Sequence, residues 1–185
     1  MKKVTLLGDS IRQIGYGKSV ADALQNDFEV FQPDDNCRFS TYTLRGLFDW
    51  AGAMEGTDIV HWNNGLWDVC DLFGDGTFLP VNEYVSTMVR IAKILKSRYP
   101  VVIFATSTPV RNENKYNQNR LIEEFNAAVV PELEALGVII NDLYTPIAAD
   151  INKYICDDLI HLSPDGIELA AKQVESIIRK CAETL

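Results

Sequence analysis

The stretch Val4-Thr5-Leu6-Leu7-Gly8-Asp9-Ser10 decides the fold. Four apolar or β-branched residues stop abruptly at a glycine, an acid and a serine. A run without polar alternation fits a strand buried on both faces, as in a parallel sheet. Parallel sheets place ligands at the carboxyl ends of their strands, so Ser10 falls where chemistry is expected. Taken alone, Gly8-Asp9-Ser10 also reads as an ordinary turn leading into a helix.

Working outward, the chain alternates. Gly17 to Asn26 carries Val20, Ala21 and Leu24 at helical spacing, and Phe28 to Phe31 reads as a second strand, ended by Pro33-Asp34-Asp35-Asn36. A helix is expected from about Thr43 to Met54 on a stripe of Leu44, Leu47, Phe48 and Ala51, then a strand over Asp58 to Trp62. The spacing predicts further helices over Asn82–Arg98 and Asn114–Leu136, and strands over Val101–Ala105 and Val138–Ile140. Ser163-Pro164-Asp165-Gly166 is a helix start, with a serine cap before a first-turn proline and acid; Ile167, Ala170, Val174, Ile177 and Cys181 form the stripe that follows. Strands alternating with helices of this length predict an α/β architecture: one domain over 1–185, a five-stranded parallel sheet, helices on both faces.

Bulk properties narrow the function. At 185 residues, 47% hydrophobic and 23% charged, the chain is long enough for one proper core. A net charge of -9 argues against nucleic acid and anionic membrane as partners, because phosphate binding needs clustered Lys and Arg. Met1-Lys2-Lys3 runs straight into the strand without the apolar region of an export signal, which predicts a soluble, cytoplasmic chain. Cys37, Cys70, Cys156 and Cys181 have no metal spacing, and there are only two histidines, His61 and His161, so no metal or other cofactor is expected.

A serine hydroxyl becomes a useful nucleophile when an imidazole takes its proton, and the imidazole needs a carboxylate to fix its tautomer. Asp158-Leu159-Ile160-His161, just before the last helix, supplies both remaining groups. Loops at the carboxyl ends of parallel strands converge, so these residues can meet Ser10 across 150 positions of sequence.

Gly8-Asp9-Ser10 after the first strand and Asp158-x-x-His161 before the last helix, with five strands in all, resembles the SGNH hydrolases, also called the GDSL esterases. The resemblance spans essentially the whole chain. It implies Ser10 as nucleophile, His161 as general base and then acid, Asp158 as its orienter, a flavodoxin-like three-layer fold, and hydrolysis of a small-molecule or carbohydrate ester, often a sugar acetyl. Two blocks depart from the family's pattern. The loop after the second strand, Asp35-Asn36-Cys37-Arg38, lacks the expected glycine; after the third, Gly65-Leu66-Trp67-Asp68 has tryptophan where an oxyanion-binding asparagine belongs. The Ser10 amide, Asn63 and Asn36 are the candidate replacement donors.

Trp67 and Arg12 are candidates to touch substrate; Trp62, Tyr16 and Arg111 are weighed beside them, and His61 fits the core better than a catalytic role. Two other readings stay open: a catalytically weak carbohydrate-binding relative, favoured by Trp67, and a phosphate binder, disfavoured because the Ser10 loop lacks further glycines and basic residues.

Overall fold

β1 (Lys2–Leu7) occupies an inner position of a five-stranded sheet in the order β2-β1-β3-β4-β5. The computed structural model describes residues 1–185. Its other strands are β2 (Phe28–Phe31), β3 (Ile59–Trp62), β4 (Val101–Ala105) and β5 (Ile139–Asn141), and every pairing is parallel. Val4 pairs with Val30 on one side and Ile59 on the other. All four residues of β3, and Val4 to Leu7 of β1, are buried, as expected of central strands covered on both faces.

The helices form two layers. A short helical segment (Ile11–Tyr16), kinked at Gly15, runs into α1 (Gly17–Leu24), which packs on α7 (Pro164–Ala182); α3 (Val81–Arg98) packs between α2 (Ser40–Asp49) and α4 (Asn119–Ala135). The short helices α5 (Tyr144–Ala148) and α6 (Ile151–Tyr154) lie ahead of α7. This is a three-layer, flavodoxin-like arrangement, and its strand order reverses between β1 and β3. Ser10 and Asn63, which follow those two strands, emerge at that switch point. No helix is long and apolar enough to cross a membrane.

Several boundaries differ from the sequence expectation, some because of a distant partner and some because of local side-chain bonds. α2 begins three residues early at Ser40, whose amide and hydroxyl both donate to the Asp68 carboxylate from the loop after β3. It stops at Asp49, and Phe48, expected in the core, is 74% exposed. α4 begins at Asn119 rather than Asn114: Asn114 Oδ1 accepts the amides of Tyr116 and Asn117, and Asn119 pairs with the Val110 backbone. Such local side-chain bonds compete with helix formation. In α7 the buried residue is Ile178 rather than Ile177.

Candidate active site

Ser10 Oγ lies 2.9 Å from His161 Nε2, and His161 Nδ1 lies 2.8 Å from Asp158 Oδ2. The structure therefore brings the two ends of the chain into one hydrogen-bonded relay. Asp158 is set by its own loop: its Oδ1 accepts the amides of Ile160 and His161 at 3.1 and 2.9 Å. Partial burial raises the Asp158 pKa, but those two amides and the imidazole outweigh it and hold the carboxyl below its ordinary value. The pair is open to water, with the Asp158 side chain 49% and that of His161 30% exposed.

The loop carrying the pair is braced from the loop after β4. The Arg111 amide and the Asn114 side chain both donate to the Leu159 carbonyl, at 3.0 and 3.4 Å. The Arg111 guanidinium donates to the Ile155 carbonyl and pairs with Asp157 at 3.0 Å. Arg111, weighed as a substrate contact, is thus a strut of the Asp158–His161 loop.

The turn under Ser10 is held from below. Gly8 is required there: a β carbon would lie 2.0 Å from Asn63 Oδ1 and 2.8 Å from Arg12 Cβ. Asp9 Oδ1 accepts the Ile11 amide at 3.0 Å and Asn63 Nδ2 at 2.8 Å, while Asp9 Oδ2 has no partner. Burial raises the Asp9 pKa to about 6, against the lowering by Asn63, Ile11, Arg12 and His161. Burial likewise raises Asp68 to about 6.

Two expectations are corrected here. Asn63 is not a donor in the cleft. It is buried, its Oδ1 accepts the Tyr16 hydroxyl at 2.8 Å and its Nδ2 supports Asp9, so it is a strut of the Ser10 turn. Arg12 does not reach substrate either. It is 2% exposed and donates to the carbonyls of Pro33, Asp35 and Gly8 at 2.8, 2.7 and 3.2 Å, stapling the loop after β2 to the Ser10 turn. A sequence shows an arginine after a strand but not the carbonyls more than twenty residues on that claim it.

Around the rim, Asn36 Oδ1 accepts the Arg38 amide at 2.8 Å, and its Nδ2 has no partner in the protein. Asn64 Nδ2 holds the Arg38 carbonyl at 2.9 Å, and the Asn64 carbonyl accepts from Tyr84 and Ser107. Trp67 is partly exposed and meets Phe39 edge-on, with ring centres 5.2 Å apart; Phe39 stacks on Phe78 at 4.5 Å. Sequence reasoning missed Phe39, Phe78 and Arg38 as residues of this rim. Trp62 and Tyr16 are fully buried core residues. His61 is core too: Asn141 lies 3.1 Å from its Nε2, and burial depresses its pKa to about 3. A cavity of about 360 Å³ at the β5 edge, lined by Thr106, Glu123, Asp142 and Tyr144 among others, includes none of the relay residues.

Comparison with known proteins agrees on architecture. No family model matches the sequence, nor does any curated protein. Solved structures do. AlAXEase, an acetyl xylan esterase, superposes with a TM-score of 0.80 at 18% identity, covering 95% of this chain and 99% of that one. A lipase/acylhydrolase from Enterococcus faecalis gives 0.81 at 19% identity over 97% and 96%. This chain has the SGNH-hydrolase fold. The psychrotrophic esterase EstA from Pseudoalteromonas sp., solved inhibited by monoethylphosphonate, gives 0.75 at 17% identity over 99% and 100%. At these identities the likeness is one of fold. On an SGNH-type sheet the relay sits at the carboxyl ends of the strands, where ligands of open α/β sheets bind.

Proposed function

We propose that this chain is a serine esterase that forms an acyl-enzyme on Ser10, with His161 as general base and then acid and Asp158 as its orienter. The observation that carries the reading is the relay itself, Ser10 Oγ to His161 Nε2 at 2.9 Å and His161 Nδ1 to Asp158 Oδ2 at 2.8 Å. The bond to Asp158 keeps the proton on Nδ1 and so leaves the Nε2 lone pair facing the hydroxyl.

In the acylation half, Oγ bonds to the ester carbonyl carbon as Nε2 takes its proton. The tetrahedral intermediate then expels the alcohol, which receives that proton from Nε2. In the second half, water gives its proton to Nε2 while its oxygen attacks the acyl carbon. Ser10 leaves with that proton and the carboxylic acid departs, so ester and water become acid and alcohol. The developing oxyanion needs preorganised donors. The Ser10 amide and the unpartnered Asn36 Nδ2 are the groups assigned to it.

The acetyl xylan esterase among the structural neighbours supports a carbohydrate O-acetyl ester as substrate. The test is turnover of p-nitrophenyl acetate, and acetate release from acetylated xylan, by the native chain and by Ser10→Ala. We expect a native rate on both that falls by about 10⁴-fold or more in the variant. A rate that survives Ser10→Ala overturns the proposal.

A further inference from the structure

We infer that Arg38 forms an anion subsite beside Ser10, and that the preferred ester carries a carboxylate on its alcohol half, as an acetylated uronic acid does. The inference rests on the esterase reading above.

Three arginines lie in the loops after strands, and the structure sorts them. Arg12 spends its guanidinium on backbone carbonyls, and Arg111 spends its own on Ile155 and Asp157. The Arg38 side chain makes no hydrogen bond and no ion pair; its guanidinium lies 5.1 Å from the centre of the Tyr42 ring. The neighbouring carboxylate, Asp35, accepts the Tyr42 hydroxyl instead. A planar guanidinium with its donor fork unused matches the geometry of a carboxylate.

The backbone that carries this side chain is fixed in an unfavourable conformation. Arg38 and Leu159 are the two non-glycine residues with left-handed backbone, at φ 43° and 75°; Leu159 lies within the Asp158–His161 loop, and Arg38 follows Cys37 in the loop after β2. A β carbon is disfavoured in that region, where glycine is the easy choice. Arg38 is nevertheless fixed there from both sides, its amide by Asn36 and its carbonyl by Asn64. Cys37 ties the same segment to the turn before Ser10: its amide donates to the Gly8 carbonyl, and the Gly8 amide donates to its thiol.

Location supplies the substrate half. Phe39 continues directly from Arg38 into the aromatic cluster with Trp67 and Phe78, a surface on which a sugar ring can stack. The cation carried one residue before Phe39 is assigned to a charged substituent on the ring, not to the small acyl group at Ser10. A chain of net charge -9 otherwise repels an anionic substrate, so recognition needs a local cation.

The test compares kcat/KM for 4-acetoxybenzoate with that for neutral 4-acetoxybenzamide, each variant serving as its own reference. In Arg38→Gln the charged-to-neutral ratio should fall about tenfold, chiefly through KM for the benzoate, and Arg38→Lys should recover part of it. Salt screens the overall repulsion in every variant alike, so the Arg38 contribution is the difference in slope: as sodium chloride is raised, the ratio in the native chain and in Arg38→Lys should fall relative to that in Arg38→Gln. The inference is overturned if Arg38→Gln slows both esters equally, if the native and Arg38→Gln ratios follow salt in parallel, or if the variant's defect appears only with mono-4-nitrophenyl succinate, whose charge is on the acyl half. Hydrolysis of the neutral ester with an unshifted ratio sinks this subsite alone; no hydrolysis of either ester by the native chain sinks the esterase reading and the subsite with it.

Discussion

The two halves of the Ser10–His161–Asp158 relay are built in opposite ways. The Ser10 turn is dry and held from beneath by Asp9, Asn63 and Arg12, all buried and all bonded to groups distant in sequence. The acid–base half is wet: Asp158 and His161 are partly exposed, and Asp158 is set by two amides within three residues of itself. The position of Ser10 is therefore a property of the core, while the imidazole's orientation is a property of one loop. Damage to the first half should appear as lost stability, and damage to the second as lost rate in a protein that still folds.

The largest expected effect lies in the exposed half. His161→Ala removes the only base within reach of Ser10 Oγ and should lower kcat on p-nitrophenyl acetate by about 10⁴-fold or more, with little change in the urea midpoint. Asp158→Asn should cost about 10³-fold. An amide can donate to Nδ1 and so favour the wrong tautomer. Because the carboxylate is half exposed, water can stand in when the side chain is removed altogether, so Asp158→Ala should lose less than Asp158→Asn. A larger loss in the alanine variant, or a clear fall in thermal stability in either, would erase the contrast between the two halves.

The buried half is probed by Arg12→Leu. Its loss leaves the carbonyls of Pro33 and Asp35 without their donor, and unmade bonds to buried groups cost about 1–3 kcal/mol each. We expect about 3 kcal/mol of stability lost in urea unfolding. A shift under about 1 kcal/mol would show that the Ser10 turn is fixed by something else.

What could be read in the sequence follows the same division. Gly8-Asp9-Ser10 and Asp158-x-x-His161 are short strings at a strand end and before a helix cap, so their meaning is local. The parallel sheet was legible because its central strands carry nearly continuous runs of apolar and β-branched residues. Asn63 and Arg12 were misassigned as a cleft donor and a substrate contact because their partners, Asp9 and Tyr16 for one and the loop after β2 for the other, are set by tertiary packing. The start of α2 was missed for the same reason, since Asp68 caps it from 28 residues away. Arg38 carried no signal, because nothing local marks a left-handed arginine. The helices α5 and α6, of five and four residues, are too short for their periodicity to show.

Asp9→Asn gives the smallest expected effect and the sharpest test of the buried half. Burial raises the Asp9 pKa from 3.8 to about 6, so between those two values the folded protein keeps a proton that the unfolded chain has released. Unfolding then releases that proton, and stability falls as pH rises from about 4 to about 6, by up to about 3 kcal/mol for one such group. Below that window both states are protonated and above it both are ionised, so the slope vanishes on either side. Asparagine mimics the protonated form: its carbonyl can still accept from Ile11 and Asn63, and its amide takes the place of the unpartnered Oδ2. Asp9→Asn should therefore match the native chain in urea at about pH 3.5, below the window, and exceed it by up to about 3 kcal/mol at about pH 7.5. Asp68, raised by its own burial and by the Asp9 charge, keeps a part of the slope in that variant. If the variant and the native chain change in parallel across the range, the carboxyl under Ser10 is solvated and the dry turn is not what holds the nucleophile.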